Sequence, residues 1–336
     1  MSLPSMSNVE QEDQGQERVR IMLLGKSGAG KSSSGNTILN KLVFKSDMKL
    51  KRITSYCEKE DGTVEDTPVS VIDTPGLFER DTKKEITVRE ILKRVKLQEP
   101  GPHVFVCVIP LGRMTQEDQN TNMLIEHMFG PRVWDYTMVL FTHGDRLEGK
   151  TINDVITESD ENLRNFIRKC SGGFHVFNNK NLEDQTQVMR FMEKIQTLMA
   201  LNGGGYYKTE LYPKQERKIR ERQQDILSER NEDISKKETQ LKEHFQDEEL
   251  NTKIRDLWRK EEEDARKAAE RKSVMAVFFS KGSILLVLLV CLLIAWALQV
   301  SVGWLIPATI IWIVLFLIGM FPSIPEKMSW LEKKMQ

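Results

Sequence analysis

The chain has 336 residues, 40% of them hydrophobic, with 49 Lys and Arg balanced by 49 Asp and Glu. That balance speaks against a nucleic-acid binder, which carries a basic excess to neutralise phosphates. Four scattered cysteines (Cys57, Cys107, Cys170, Cys291) show no CxxC and no metal-ligand spacing, so they read as reduced thiols and exclude a disulfide scaffold.

The length accommodates one domain of ~200 residues and a substantial appendage. Residues 1–17 are polar and acidic without an apolar core, and read as a disordered leader that stays in the cytosol. The Met-Ser start also departs from the Met-Gly myristoylation pattern. From Val19 to about Leu201, short β-rich runs alternate with helical periodicity, which predicts an α/β fold with a mostly parallel sheet covered on both faces. The expected strands are Val19–Leu24, Val69–Asp73, His103–Ile109, Thr137–Phe141 and Phe174–Phe177. Thr115 with Asp118, and Thr151 with Asp154, have the spacing of capping boxes at two helix starts.

The first strand runs directly into Gly25-Lys26-Ser27-Gly28-Ala29-Gly30-Lys31-Ser32, which fits GxxxxGK[ST] and leads into a helical pattern with Ser33 in its first turn. This strand–loop–helix setting is that of a phosphate loop. Its glycines let the main chain follow a tight path with N–H groups turned inward on phosphate oxygens. Lys31 is placed to reach the β- and γ-phosphates and Ser32 to hold Mg²⁺, and the helix N-terminus adds positive potential. After the second strand, Asp73-Thr-Pro-Gly76 supplies an acidic residue for Mg²⁺ and a glycine N–H for the γ-phosphate. Leu77 and Phe78 follow where many GTPases place a water-orienting Gln, so intrinsic hydrolysis is expected to be slow.

Thr142-His143-Gly144-Asp145 follows the strand Thr137–Phe141. It stands where guanine-nucleotide proteins carry a short Asn/Thr-Lys-x-Asp element. A carboxylate at 145 can accept from both N1–H and the N2 amino group of guanine, an arrangement that adenine lacks. His143 replaces the usual Lys; its ring can stack on the base but lacks the long apolar stem.

Gly203-Gly-Gly205 interrupts the pattern and is read as a domain boundary. A helical extension is expected over 206–281; its residues 206–272 are dominated by charged helix formers, with a thin apolar stripe that includes Ile219, Ile226, Ile234 and Leu241. A long solvated helix, or two, laying that stripe on the globular domain is the favoured expectation, with coiled-coil self-association as the alternative. Residues 282–321 contain no charge and form a stretch roughly twice the ~20 residues that one membrane helix needs. Gln299, Ser301, Gly303 and Pro307 break it near the middle, and basic residues flank both ends. A hydrophobic hairpin with both termini cytosolic, followed by a short tail over 322–336, satisfies the positive-inside rule. Either a bilayer-spanning or a one-leaflet hairpin fits arms of this length.

These motifs together resemble the GIMAP GTPases (GTPases of immunity-associated proteins), in the septin- and Toc-like branch of phosphate-loop GTPases, over about residues 18–205. The run Gly101-Pro-His-Val-Phe-Val-Cys-Val-Ile-Pro-Leu-Gly-Arg113, with Thr115, resembles the box that sets the family apart. Phe177-Asn178-Asn179 resembles the last guanine-contacting loop, with Asn178 ahead of Asn179 as the base contact. Ile53-Thr54-Ser55 resembles the first switch segment, which makes Thr54 a ligand of Mg²⁺ and the γ-phosphate, and Ser46 of Phe44-Lys-Ser46 is expected near the nucleotide. The resemblance implies GTP or GDP with Mg²⁺ as cofactors and face-to-face pairing of G domains, as a homodimer or with related chains. Several members of the family carry C-terminal membrane anchors; for this chain the short hairpin arms leave the cytosolic face of the endoplasmic reticulum, a lipid droplet or the mitochondrial outer membrane as its expected place. Arg113 is the residue such pairing can deliver to a partner's site as a catalytic finger. Three readings result: a slowly hydrolysing GTP-dependent dimerising switch, a GTPase with Arg113 acting in trans, and a membrane-shaping hairpin regulated by GTP.

Overall fold

The computed structural model describes residues 17–45, 56–77, 84–112 and 114–271. Among the described residues, six strands form one sheet: β1 (Val19–Leu24), β2 (Glu58–Val64), β3 (Thr67–Asp73), β4 (Val104–Pro110), β5 (Thr137–Thr142) and β6 (Phe174–Val176), in the order β2-β3-β1-β4-β5-β6. All pairs are parallel except β2–β3, an antiparallel edge. The helices that bear on the site are α1 (Lys31–Leu39), α2 (Lys84–Lys93), α3 (Val95–Gln98), α4 (Gln116–Phe129), α5 (Ile152–Glu158), α6 (Glu161–Lys169) and α7 (Thr186–Leu201).

β1 is buried along its whole length because both sides of the sheet are covered. Its side chains alternate between two cores. Ile21 and Leu23 join Ile38 of α1 and Val188, Phe191 and Ile195 of α7 on one side. Met22 and Leu24 join Ile91 of α2, Ile125 and Phe129 of α4, and Leu163 and Phe166 of α6 on the other. Burial of each such side chain stabilises by about 1.5–3 kcal/mol, so this apolar alternation is what sets the layer order. The two expected capping boxes are both formed, Thr115 with Asp118 on α4 and Thr151 with Asp154 on α5.

The sequence reading misses β2. Its residues, Glu-Lys-Glu-Asp-Gly-Thr-Val, show no apolar alternation, because only Val64 is buried. Backbone pairing to β3 holds the strand in place, from Glu58 opposite Asp73 to Val64 opposite Thr67.

The core does not stop at the glycine triplet. Tyr207 is 1% exposed, lies edge-on to Phe105 at 5.0 Å between centroids, and donates its hydroxyl to the Phe129 carbonyl. Tyr212 donates to Gln98 Oε1 at 3.1 Å. Beyond them come α8 (Lys214–Glu229), α9 (Asn231–His244) and α10 (residues 247–271). Ile219, Ile226 and Ile234 meet Ala265 and Ala269 in a small core of their own. Polar contacts then tie these helices to the segment around α2 and α3. Gln223 Nε2 donates to the Lys93 carbonyl at 2.8 Å, and Arg94 Nε lies 3.1 Å from Glu262, whose side chain is fully buried. The Lys96 N–H donates to Glu262 Oε1 at 2.8 Å. Among the described residues, no helix is long and apolar enough to cross a membrane. The leader over 1–16 and the expected hairpin and tail over 282–336 lie outside the described residues.

Candidate functional site

Parallel strands end together, so β1, β3, β4 and β5 deliver their following loops to one edge of the sheet. Connections leave β1 and β4 in opposite directions, which opens a crevice at the carboxyl end of β1, the usual place for a ligand in an open α/β sheet. The phosphate-loop sequence occupies that place. Gly25 has φ +153°, and a Cβ there would stand 2.6 Å from the Val108 carbonyl oxygen, so only glycine lets the loop leave the strand on this path.

Lys31 is buried at the start of α1, and its Nζ donates to the carbonyls of Lys26 (2.9 Å) and Gly25 (3.3 Å). The ammonium is therefore seated inside the curl of the loop. Ser32 Oγ donates to Asp73 Oδ2 at 2.6 Å, which brings the last residue of β3 to the first turn of α1. Burial raises the Asp73 carboxyl above its ordinary value, opposed by the Lys31 charge and the Ser32 hydrogen bond. A hydroxyl and a carboxylate beside a seated ammonium form a hard-oxygen donor set of the kind Mg²⁺ takes together with phosphate oxygens.

Three further ties join the loops. The Thr74 hydroxyl donates to the Leu23 carbonyl (2.7 Å), the Leu77 N–H to the Gly25 carbonyl (3.2 Å) and the Thr142 hydroxyl to the Ala29 carbonyl (2.8 Å). Gly76 lies directly against the Ser27 backbone. Leu77 itself is 1% exposed and packs into the core.

The expected base-reading loop follows β5. His143 adopts a left-handed conformation at φ 62°. Burial lowers its pKa first and the Arg146 charge lowers it further, against the opposing pull of Asp145. The Gly144 N–H donates to the Phe177 carbonyl at 2.9 Å, which joins this loop to the one after β6. Asp145 accepts from Lys180 Nζ at 2.6 Å, and that hydrogen bond holds its carboxyl below the ordinary value.

The two asparagines play different parts. Asn178 Oδ1 accepts from the Lys180 N–H at 3.1 Å, which shapes the loop. Asn179 turns back onto α1, accepting from Thr37 Oγ1 at 2.9 Å and donating to Ser34 Oγ at 3.1 Å. Asn179 thus braces the loop after β6 against α1, whereas the Asn178 side chain is spent within its own turn.

The structure brings together the phosphate loop with Ser33 in the first turn of α1, Asp73, Gly76, His143, Gly144, Asp145, Asn178 and Asn179. Ser46, Thr54 and Arg113 lie outside the described residues. Sequence reasoning overlooked Lys180, although it directly follows the Phe177-Asn-Asn stretch. The tie of the Lys26 side chain to Asp118, at 3.0 Å, was also invisible, since 92 positions separate the pair.

A family model described as the AIG1 family matches residues 19–226. The human protein "GTPase IMAP family member 8" is 36% identical over 192 residues, which cover 56% of this chain and 29% of that protein. "Immune-associated nucleotide-binding protein 4" of Arabidopsis thaliana is 32% identical over 243 residues, or 68% of this chain and 73% of that one. The solved structure of Toc33 from Arabidopsis thaliana in complex with Mg²⁺ and GMPPNP is similar with a TM-score of 0.42 and 15% identity, over 57% of this chain and 87% of that one. The chain thus spans less than a third of the human relative. The family match covers more than half of its own length and includes the phosphate loop, the Asp73 and Asp145 loops and the packed tyrosines: the chain belongs to the AIG1 family.

Proposed function

We propose that this chain is a guanine-nucleotide-binding switch that pairs through its nucleotide face in the GTP state and hydrolyses GTP slowly. The observation that carries the reading is the convergence on one sheet edge of a seated lysine (Lys31), a hydroxyl–carboxylate pair (Ser32 and Asp73) and a carboxylate at the base position (Asp145). Inward N–H groups of residues 25–32 bind the phosphates and Lys31 neutralises their charge. Ser32 and Asp73 would hold Mg²⁺, which supplies charge neutralisation at the β- and γ-oxygens. Asp145 reads the base by accepting two hydrogen bonds from guanine. Each is charge-assisted and contributes about 1.5–3 kcal/mol, so GTP should outbind ATP by roughly 10²–10⁴-fold.

Slow hydrolysis is supported by Leu77, whose side chain is in the core and has no group to orient water. Thr54 would complete the Mg²⁺ and γ-phosphate contacts, and Arg113 would enter a partner's site; both roles rest on the family resemblance. The names of the relatives, a GTPase and a nucleotide-binding protein, support the same reading. The uncharged stretch over 282–321 supports anchoring of both termini on the cytosolic face of an intracellular membrane.

Competition calorimetry with Mg²⁺ tests the base assignment. GTP should displace bound GDP where ATP does not, and Asp145→Asn should exchange guanosine for xanthosine preference. Equal GTP and ATP binding in the parent chain would refute the guanine reading. Single-turnover hydrolysis against protein concentration then tests the switch: a flat, slow rate supports it, whereas a rate that climbs and collapses in Arg113→Ala makes the chain a trans-acting GTPase.

A further inference from the structure

Lys26, the second residue of the phosphate loop, does not extend its charge into the curl of the loop. Its Nζ lies 3.0 Å from the Asp118 carboxylate and 3.2 Å from the Thr115 hydroxyl, at the start of α4. The contact is largely enclosed, with side chains 16% and 5% exposed. Asp118 is itself held: it accepts from the Thr115 N–H at 2.9 Å and completes the capping box of α4. Meanwhile the carbonyl of the same Lys26 accepts from Lys31 Nζ at 2.9 Å. One residue therefore joins the lysine that meets the phosphates to a rigid helix end.

We propose that Asp118 is a positioning residue for the phosphate loop, gripping Lys26 and so fixing the peptide that seats Lys31. The assignment rests on the reading of this loop as a nucleotide phosphate site. Physically, glycines at 25, 28 and 30 leave this loop more backbone freedom to lose on binding than side-chain-bearing residues at those positions would. A side-chain tether on one of its residues removes part of that loss before the ligand arrives, and so strengthens binding. Salt screens an enclosed pair weakly, so the tether persists at physiological ionic strength.

The test is a double-mutant cycle in the full chain, read as the release rate and affinity of a fluorescent GDP. Asp118→Asn keeps an oxygen for the Thr115 N–H while removing the charge, and Lys26→Met removes the other end while leaving α4 untouched. Each single variant should release GDP about 10-fold faster, roughly the loss of one ordered residue. The double variant should be no faster than either single one, and Lys26→Arg should restore the parent rate. Discrimination between GTP and ATP should stay at the parent value throughout.

If Lys26→Met speeds release while Asp118→Asn does not, the lysine touches phosphate directly and the strut is wrong. Additive effects, or unchanged release in both single variants, also overturn it. Should Asp118→Asn fail to fold, Asp118→Ser takes its place in the cycle, since it keeps a hydroxyl at the helix end while removing the charge that grips Lys26. A parent chain that binds no guanine nucleotide defeats the reading of the whole site, which is a different result from a binding parent with indifferent variants.

Discussion

Gly76→Ala is the sharpest perturbation of the site, because what a methyl group would meet there is main chain. A Cβ at 76 would stand 2.6 Å from Ser27 Cα, 2.7 Å from its Cβ and 2.7 Å from its backbone nitrogen. Carbon atoms settle about 3.5–4.0 Å apart, so the two segments must separate by about 1 Å. No side-chain rotation relieves the contact. The hydrogen bond from the Leu77 N–H to the Gly25 carbonyl, already 3.2 Å long, would be lost in that movement. Ser27 lies in the curl whose N–H groups are assigned to the phosphates, so displacing it should remove one charge-assisted hydrogen bond of about 1.5–3 kcal/mol. The expected result is roughly 10- to 150-fold weaker GTP and GDP binding in titration calorimetry. Overpacking should also lower the stability of the nucleotide-free chain by about 1–3 kcal/mol. Affinity within about twofold of the parent, with an unchanged melting temperature, would refute both the close approach and the role given to the loop.

Glu262→Ala should loosen the helical extension. It leaves Arg94, 5% exposed, with its charge uncompensated and takes the acceptor from the Lys96 N–H, a loss of about 3–5 kcal/mol. Urea unfolding and limited proteolysis within residues 214–271 should both report it, and an unchanged urea midpoint would show that the buried pair holds nothing.

Acid should destabilise the fold through His103 and His175. Burial first, then Arg20 for the one and Lys194 for the other, depresses each ring to about 4. The unfolded rings protonate near pH 6.5 while the folded ones resist, so their stabilisation is complete above pH 6.5 and is lost as pH falls towards 4, by up to about 3 kcal/mol each. Glu262 has the opposite sign. Burial raises it to about 7, so its contribution falls as pH rises from 4.5 to 7. Gln at 103 or 175 should flatten the acid limb of stability measured between pH 4 and 6.5, and Glu262→Gln should steepen it. A slope that none of these changes would refute the assignment.

Much of the site could be read from the chain before folding, because its chemistry depends on residues adjacent in sequence. A curl of main-chain N–H groups needs Gly25, Gly28 and Gly30 within a few positions, so the phosphate loop carries its own signature. Asp73 and Asp145 were legible for a related reason: Asp73 closes one apolar run and Asp145 stands in the loop directly after another, and runs buried on both faces end where parallel strands deliver loops to one edge. The capping boxes at Thr115 and Thr151 are local in the same sense, each a hydrogen-bonded pair three residues apart.

What the sequence left open is everything set by contacts between distant segments. β2 is held by its backbone partner rather than by side-chain burial, so Glu58–Val64 shows no period of two. The continuation of the core past Gly205 depends on Tyr207 and Tyr212 meeting Phe105, Phe129 and Gln98, more than a hundred positions away for some pairs. Glu262, Arg94 and Gln223 look like solvated charges and amides on a polar helix, and only packing turns them into a buried joint. Lys26 is the same case at the site itself. Sequence spacing places its backbone in the phosphate loop, but a flexible four-carbon side chain goes wherever a buried carboxylate needs a counter-charge, and only the folded chain brings Asp118 to it.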